Sequence, residues 1–145
     1  NHANCVGEVG FKDGDLYLFQ ELYVYEMDTD EIIQLAEGRF NKKFRMWCDS
    51  AEPDRIKMWQ KAGYRAKGVT KEQNSVHAQI DYLKQHRIHI YPTCTNTIKE
   101  IQQWKWKKDE KTGDYLDEPV PFQDDAMAAL RYAVEGWRKV KKWII

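Results

Sequence analysis

The sequence lacks net charge: 23 Lys and Arg are balanced by 23 Asp and Glu. A dedicated nucleic-acid binder usually carries a basic excess, so the sum argues weakly against that class. It lacks long apolar runs, and no stretch approaches the roughly 20 residues of a membrane helix. No charged-then-apolar leader opens it, so nothing marks it for secretion. Cysteine is sparse. Cys5, Cys48 and Cys94 lie far apart with no C-x-x-C pair, which argues against both a structural zinc site and a disulfide scaffold and fits a reducing compartment. No Walker A motif appears, so the chain is not an ATPase by itself. No Ser-His-Asp or Cys-His signature emerges either.

What is present reads as one ordinary folded domain. The 145 residues are 42% hydrophobic and 32% charged, enough to bury a core and too apolar for disorder. Charge is segregated. Basic residues gather at Lys105, Lys107 and Lys108, and again from Arg138 to Lys142, while acidic residues gather at 28–31 and at Asp124 and Asp125. A neutral chain with such segregation can hold both a cation site and a phosphate track.

Two β-rich runs, 5–11 and 16–24, flank Lys12-Asp13-Gly14-Asp15, a hairpin signal. Apolar residues on both faces of the second run suit a covered strand. Asp28 stands three residues before Glu31 in capping-box spacing, and Ile32, Ile33, Ala36 and Phe40 follow at helical spacing. Phe44–Cys48 reads as a short buried strand, then Pro53 opens a helix with Ile56 and Trp59 on its apolar face and Gly63 at its end. A strand over 64–69 follows. Asn74-Ser75 caps a helix bearing Val76, Ile80 and Leu83 on one face. Arg87–Tyr91 alternates like a strand and stops at Pro92. Thr97 and Glu100 form a second capping-box pair. A hairpin is expected around Gly113, and a last helix runs from Asp125 to Val134, closed by Gly136. The alternation of strands and helices gives an α/β class with mixed pairing, antiparallel first and parallel later.

Asp49 is the most informative residue. It ends a strand and precedes a helix, where α/β sheets present ligand-binding groups; an equally good reading makes it a turn or cap residue. Asp124 and Asp125 open the last helix, where the dipole alone stabilises acidic side chains. Adjacent carboxylates nonetheless repel unless a cation or proton sits between them. Mg²⁺ and Mn²⁺ favour oxygen ligands, with a few carboxylates and a substrate phosphate sufficing. Lys71 follows a strand and can touch phosphate, although a solvated loop lysine is the simpler reading. His86 and His89 fall where a helix gives way to a strand, so their faces diverge; His77 lies on a helix, part exposed.

Several segments together resemble one family. W-K-W-K-K-D-E-K-T-G-D-Y-L-D-E-P-V-P-F-Q-D-D-A-M-A-A-L-R-Y-A (Trp104–Ala133) is similar to the end of the nuclease domain of tailed-phage large terminases. Phe11–Tyr17 resembles the first hairpin of that family, Met46–Pro53 its second acidic motif, and Ile88–Pro92 with Asn96–Glu100 a further stretch. The resemblance spans nearly the whole chain as a single domain, 1–145. It implies a ribonuclease H-like mixed β-sheet flanked by helices, with an additional β-hairpin before the last helix. It implies a metal-dependent endonuclease acting on concatemeric double-stranded DNA, with one metal-binding carboxylate at Asp49 and another at Asp125 or Asp124; the leading assignment is a two-metal site for Mg²⁺ or Mn²⁺ in which Asp49 and Asp125 are metal-binding and catalytic and Asp124 assists. Lys71, Lys105, Lys107 and Lys108 are the expected DNA contacts. The implied partners are a packaging ATPase domain, a small terminase subunit and a portal protein, with no membrane. The implied place is the host bacterial cytoplasm, at the procapsid.

Two departures stand out. The family's first metal-binding aspartate lies on a first strand ahead of Asn1-His2-Ala3-Asn4, so the first strand is expected to be truncated here. Many relatives also carry an aspartate where this chain has Ala128. The second shifts the assignment towards Asp125 and Asp124 and leaves their division of labour open, while the first, with the neutral net charge, favours a catalytically weak domain that grips DNA within the motor. A ribonuclease H-like nuclease of another kind, a junction resolvase or an integrase-type enzyme, fits the Asp-Glu-Pro-Val to Arg-Tyr run less well.

Overall fold

A computed structural model describes residues 3–69, 75–103, 106–108, 115–119 and 125–142. β1 (Asn4–Lys12) and β2 (Asp15–Val24) form an antiparallel hairpin that pairs from Asn4↔Val24 to Lys12↔Asp15, with a register shift between Glu8 and Val9. Its two-residue turn needs positive φ at both positions, and Asp13 (52°) and Gly14 (83°) supply it. Asp28 caps α1 (Thr29–Ala36), its Oδ1 accepting from the Glu31 amide at 3.0 Å. The helix stops sooner than its apolar spacing suggests. Gly38 turns the chain at φ 78°, so Phe40 lies past the helix end and reaches the same core from a turn.

β3 (Arg45–Cys48) leads to α2 (Pro53–Lys61), with Pro53 in the first turn, and then to β4 (Arg65–Gly68), which runs parallel to β3. α3 (Ser75–Lys84) precedes β5 (Ile88–Ile90), which pairs parallel with β2. α4 (Thr95–Gln103), the antiparallel pair β6 (Trp106–Lys108) and β7 (Tyr115–Pro119), and α5 (Asp125–Lys142) complete the order. Mixed pairing and the hairpin before the last helix agree with expectation. Among the described residues the strands form three groups, β1-β2-β5, β3-β4 and β6-β7.

Two apolar clusters hold these elements. Leu22 of β2 packs with Ile32, Ala36, Trp59, Tyr64 and Ala66; the Trp59 and Tyr64 rings meet edge to face at 5.1 Å. Leu16 lies beyond the register shift between Glu8 and Val9, which turns it to the opposite face of the hairpin from Leu22, and packs with Leu83, Met127, Leu130 and Val134. Each such side chain contributes roughly 1.5–3 kcal/mol on leaving water. β2 thus carries side chains into a core on each face, as its apolar residues on both faces suggest, with Tyr17 and Phe19 only partly buried.

Three expectations are corrected. Phe44–Cys48 was expected to be buried; β3 is part exposed, because one of its edges lines a cleft. Val76 is exposed, and α3 buries Gln79, Ile80 and Leu83 instead. Gly136 does not end α5, which continues to Lys142. It is buried, and a Cβ there would run into the Trp47 indole, so this glycine permits close helix–strand packing rather than a stop. His86 donates to the Tyr82 carbonyl at 2.6 Å, whereas His89 meets Asp15 at 2.9 Å and stacks on Tyr17. The two imidazoles therefore serve separate partners.

Candidate active site

A cleft of about 1090 Å³ lies between β1, β3 and the first half of α5. Both strands line it with an edge that no described strand pairs. Asp49 and Asp125 are both on its wall. Folding thus brings to one surface two carboxylates that are distant in sequence. Each stands where an element ends or begins.

Asp49 directly follows β3 and is exposed. Its Oδ1 accepts from the Ala51 amide at 3.0 Å, a local Asx turn. The turn role is therefore present, and it leaves the carboxylate on the cleft wall. Asp125 is the first residue of α5 and is half-buried. Its Oδ2 accepts from the Ala3 amide at 3.2 Å, tying the start of the helix to the start of β1. Ala128 follows one turn later and also lines the cleft, as i, i+3 spacing on a helix requires.

The N-terminal amides of α5 are satisfied from another helix. Glu100 of α4 is buried; its Oε2 accepts from the Ala126 amide at 3.1 Å and its Oε1 from the Met127 amide at 3.0 Å. The Tyr23 hydroxyl donates to the same carboxylate at 2.7 Å. Burial holds the Glu100 carboxyl above its usual range, with the nearby Asp125 charge adding and the three donated hydrogen bonds opposing. The pairing of Glu100 with Thr97 as a capping box is thereby corrected. Glu21 of β2 takes that place at α4, accepting from the Thr97 amide at 2.8 Å and the Asn96 amide at 3.3 Å. Sequence reasoning missed both glutamates as parts of the site. The available signal was a charged residue on the same α4 face as Thr97.

Neither cysteine beside the cleft offers a thiolate. Burial pushes the Cys48 thiol up to about 11, with Asp49 adding to the shift. Burial, followed by the charges of Glu21, Glu100 and Asp125, raises the Cys5 thiol further. Asp49 and Asp125 are carboxylates in the cleft lining, the oxygen donors that divalent ions such as Mg²⁺ and Mn²⁺ favour. No group of three or more candidate ligands gathers among the described residues.

Asp124, Lys71 and Lys105 lie outside the described residues, as do the side chains of Lys107 and Lys108 on β6. Arg45 and Arg55, which the sequence did not single out, line the cleft. Arg55 is held by Glu52 at 2.8 Å and by Asn4 at 3.2 Å. Among the described residues no helix is long and apolar enough to cross a membrane.

Comparison with known proteins gives consistent matches. Residues 1–136 match a family model described as the terminase RNase H-like domain. The PBSX phage terminase large subunit of Bacillus subtilis (strain 168) is 25% identical over 126 residues, covering 84% of this chain; the chain spans 28% of that relative's length. In fold, the chain is similar to the nuclease domain of the bacteriophage SPP1 large terminase, crystallised with bound Mn. That match has a TM-score of 0.84 and 21% identity, over 93% of this chain and 79% of the other. The P22 large terminase nuclease domain matches with a TM-score of 0.72 and 16% identity, over 95% and 76%.

Proposed function

Because the chain belongs to the terminase RNase H-like domain family, we propose that it serves as the nuclease domain of a phage DNA-packaging terminase, a divalent-metal-dependent endonuclease that cuts concatemeric double-stranded DNA. The observation that carries this reading is that Asp49 and Asp125 both line one cleft. The manganese bound to the SPP1 domain supports a divalent ion as the cofactor.

Asp49 and Asp125 would hold Mg²⁺ or Mn²⁺, with Asp124 assisting. Such an ion supplies Lewis-acid stabilisation of charge developing on the phosphate oxygens and eases ionisation of the attacking water. The residues themselves do the rest. The Asx turn at Asp49 and the Ala3 amide at Asp125 fix both carboxylates. Arg45 and Arg55 provide cations at the cleft for the DNA backbone, joined by Lys71, Lys105, Lys107 and Lys108. A two-metal arrangement calls for a third carboxylate. An extended segment laid between the unpaired edges of β1 and β3 would carry it into the cleft. The ATPase domain, the small subunit and the portal are the partners of this role, exercised in the host bacterial cytoplasm at the procapsid.

A weaker variant of the reading, a module that grips DNA and cuts poorly, is favoured by Ala128. It stands on the cleft one turn from Asp125, where it offers no ligand. Mn²⁺ titration monitored by electron paramagnetic resonance tests the site directly. Asp125→Asn is expected to weaken binding about tenfold, because ligand charge count tunes affinity; equal affinities would remove Asp125 from the site. Ala128→Asp is expected to strengthen binding by about tenfold on the same basis. Plasmid cleavage with Mn²⁺, by this chain and by a form extended upstream of Asn1, then separates the two readings. Salt-dependent DNA binding without cutting by either form would favour the gripping module.

A further inference from the structure

We propose that Glu100 is a positioning residue for Asp125, capping α5 from a neighbouring helix so that the Asp125 carboxylate is presented to the cleft. The inference rests on the reading of Asp125 as a metal ligand.

The amides at the second and third positions of a helix are ordinarily satisfied by a side chain at the residue just before it. In α5 those amides, Ala126 and Met127, bind the two oxygens of Glu100 instead. A buried carboxylate at this point also meets the positive end of the helix dipole. With these donors engaged, the Asp125 carboxylate has no need to cap its own helix, and it reaches the Ala3 amide at the mouth of β1.

Glu100 is itself fixed from two sides. The Tyr23 hydroxyl of β2 holds its Oε2. Glu21, also on β2, holds the start of α4 through the Asn96 and Thr97 amides. Two carboxylates in series therefore run from β2 to α4 and from α4 to α5, fixing the first turn of α5 to the sheet. Through these bonds Glu21, Glu100 and Asp125 gather where β1, β2, α4 and α5 meet. Gathering like charges beside a ligand is unfavourable unless each is compensated by directed donors, and the amides and hydroxyl named above are those donors. Partners that orient a metal ligand typically change affinity by about 10–100-fold when removed.

Glu100→Gln keeps the shape and one acceptor and is expected to stay folded. Its Mn²⁺ affinity should fall by about tenfold, while Glu100→Leu, with no acceptor, should fall by about a hundredfold. Amide exchange at Ala126 and Met127 should quicken in the same order, and the carboxyl-carbon resonance of Asp125 should move. If Glu100→Leu does not fold, the glutamine variant decides alone. A folded Glu100→Gln with wild-type Mn²⁺ affinity, unchanged exchange and an unmoved Asp125 resonance overturns the proposal, as does a lower melting temperature with affinity intact. Asp125→Asn is the control for the underlying reading. If it leaves Mn²⁺ binding unchanged, the metal site falls, and the Asp125 resonance in Glu100→Gln still reports whether Glu100 positions that carboxylate.

Discussion

Asp49→Ala is expected to lower cleavage of supercoiled plasmid by about a thousandfold, in a form of the protein that cuts, while leaving the fold intact. The magnitude follows from losing a ligand to an ion that supplies several kcal/mol of charge stabilisation, at 1.36 kcal/mol per tenfold in rate. The fold should survive because Asp49 is exposed and its bond to the Ala51 amide is local. Losing such a turn or cap bond costs about 1 kcal/mol. Asp49→Asn separates the two roles of this residue. It keeps the oxygen that accepts from Ala51 and removes the charge. Under the metal reading it is nearly as inactive as alanine; cleavage at the wild-type rate would reduce Asp49 to a turn residue.

The second large effect concerns Gly136. In an ordinary helix interior, glycine to alanine stabilises by about 1 kcal/mol. Here the sign reverses, because the added methyl would enter the Trp47 ring. Overpacking of this kind costs about 1–3 kcal/mol, and for a chain of this size each kcal/mol moves the melting temperature by about 2–4 °C. Urea and thermal unfolding of Gly136→Ala should therefore show a loss, and combination with Trp47→Leu should recover part of it. An alanine variant more stable than wild type would mean that α5 and β3 do not approach this closely. The contact also matters for the site. Trp47 is two residues before Asp49, and Gly136 is on the helix that begins with Asp125, so this packing sets how the two carboxylate-bearing elements lie together.

Predicting the sign of both substitutions required the folded chain, and the same division runs through the molecule. Local signals were legible in the residues themselves. Asp13-Gly14 demanded positive φ, Asp28 supplied an oxygen three residues ahead of Glu31, Pro53 suited a first helical turn, and Ile32, Ile33 and Ala36 recurred at helical spacing. Each is decided within a few residues by backbone sterics and local hydrogen bonding. The acidic residues at strand and helix ends were likewise visible, as was the family resemblance that the family match bore out.

What only the tertiary structure decided are pairings between distant segments. Nothing near Glu100 says that its carboxylate leaves Thr97 for the amides of α5, nor that Glu21 takes its place at α4. Nothing near Gly136 distinguishes a helix stop from a close approach to an indole. Val76 kept helical spacing with Ile80 and Leu83 yet is exposed, because periodicity gives a face but not the edge of what covers it. Asp49 and Asp125 share a cleft because β3 and α5 pack together, which neither segment encodes alone. Spacing along the chain constrains neighbours within a turn or two; which distant donor meets which acceptor is settled only when burial makes an unpaired polar group costly.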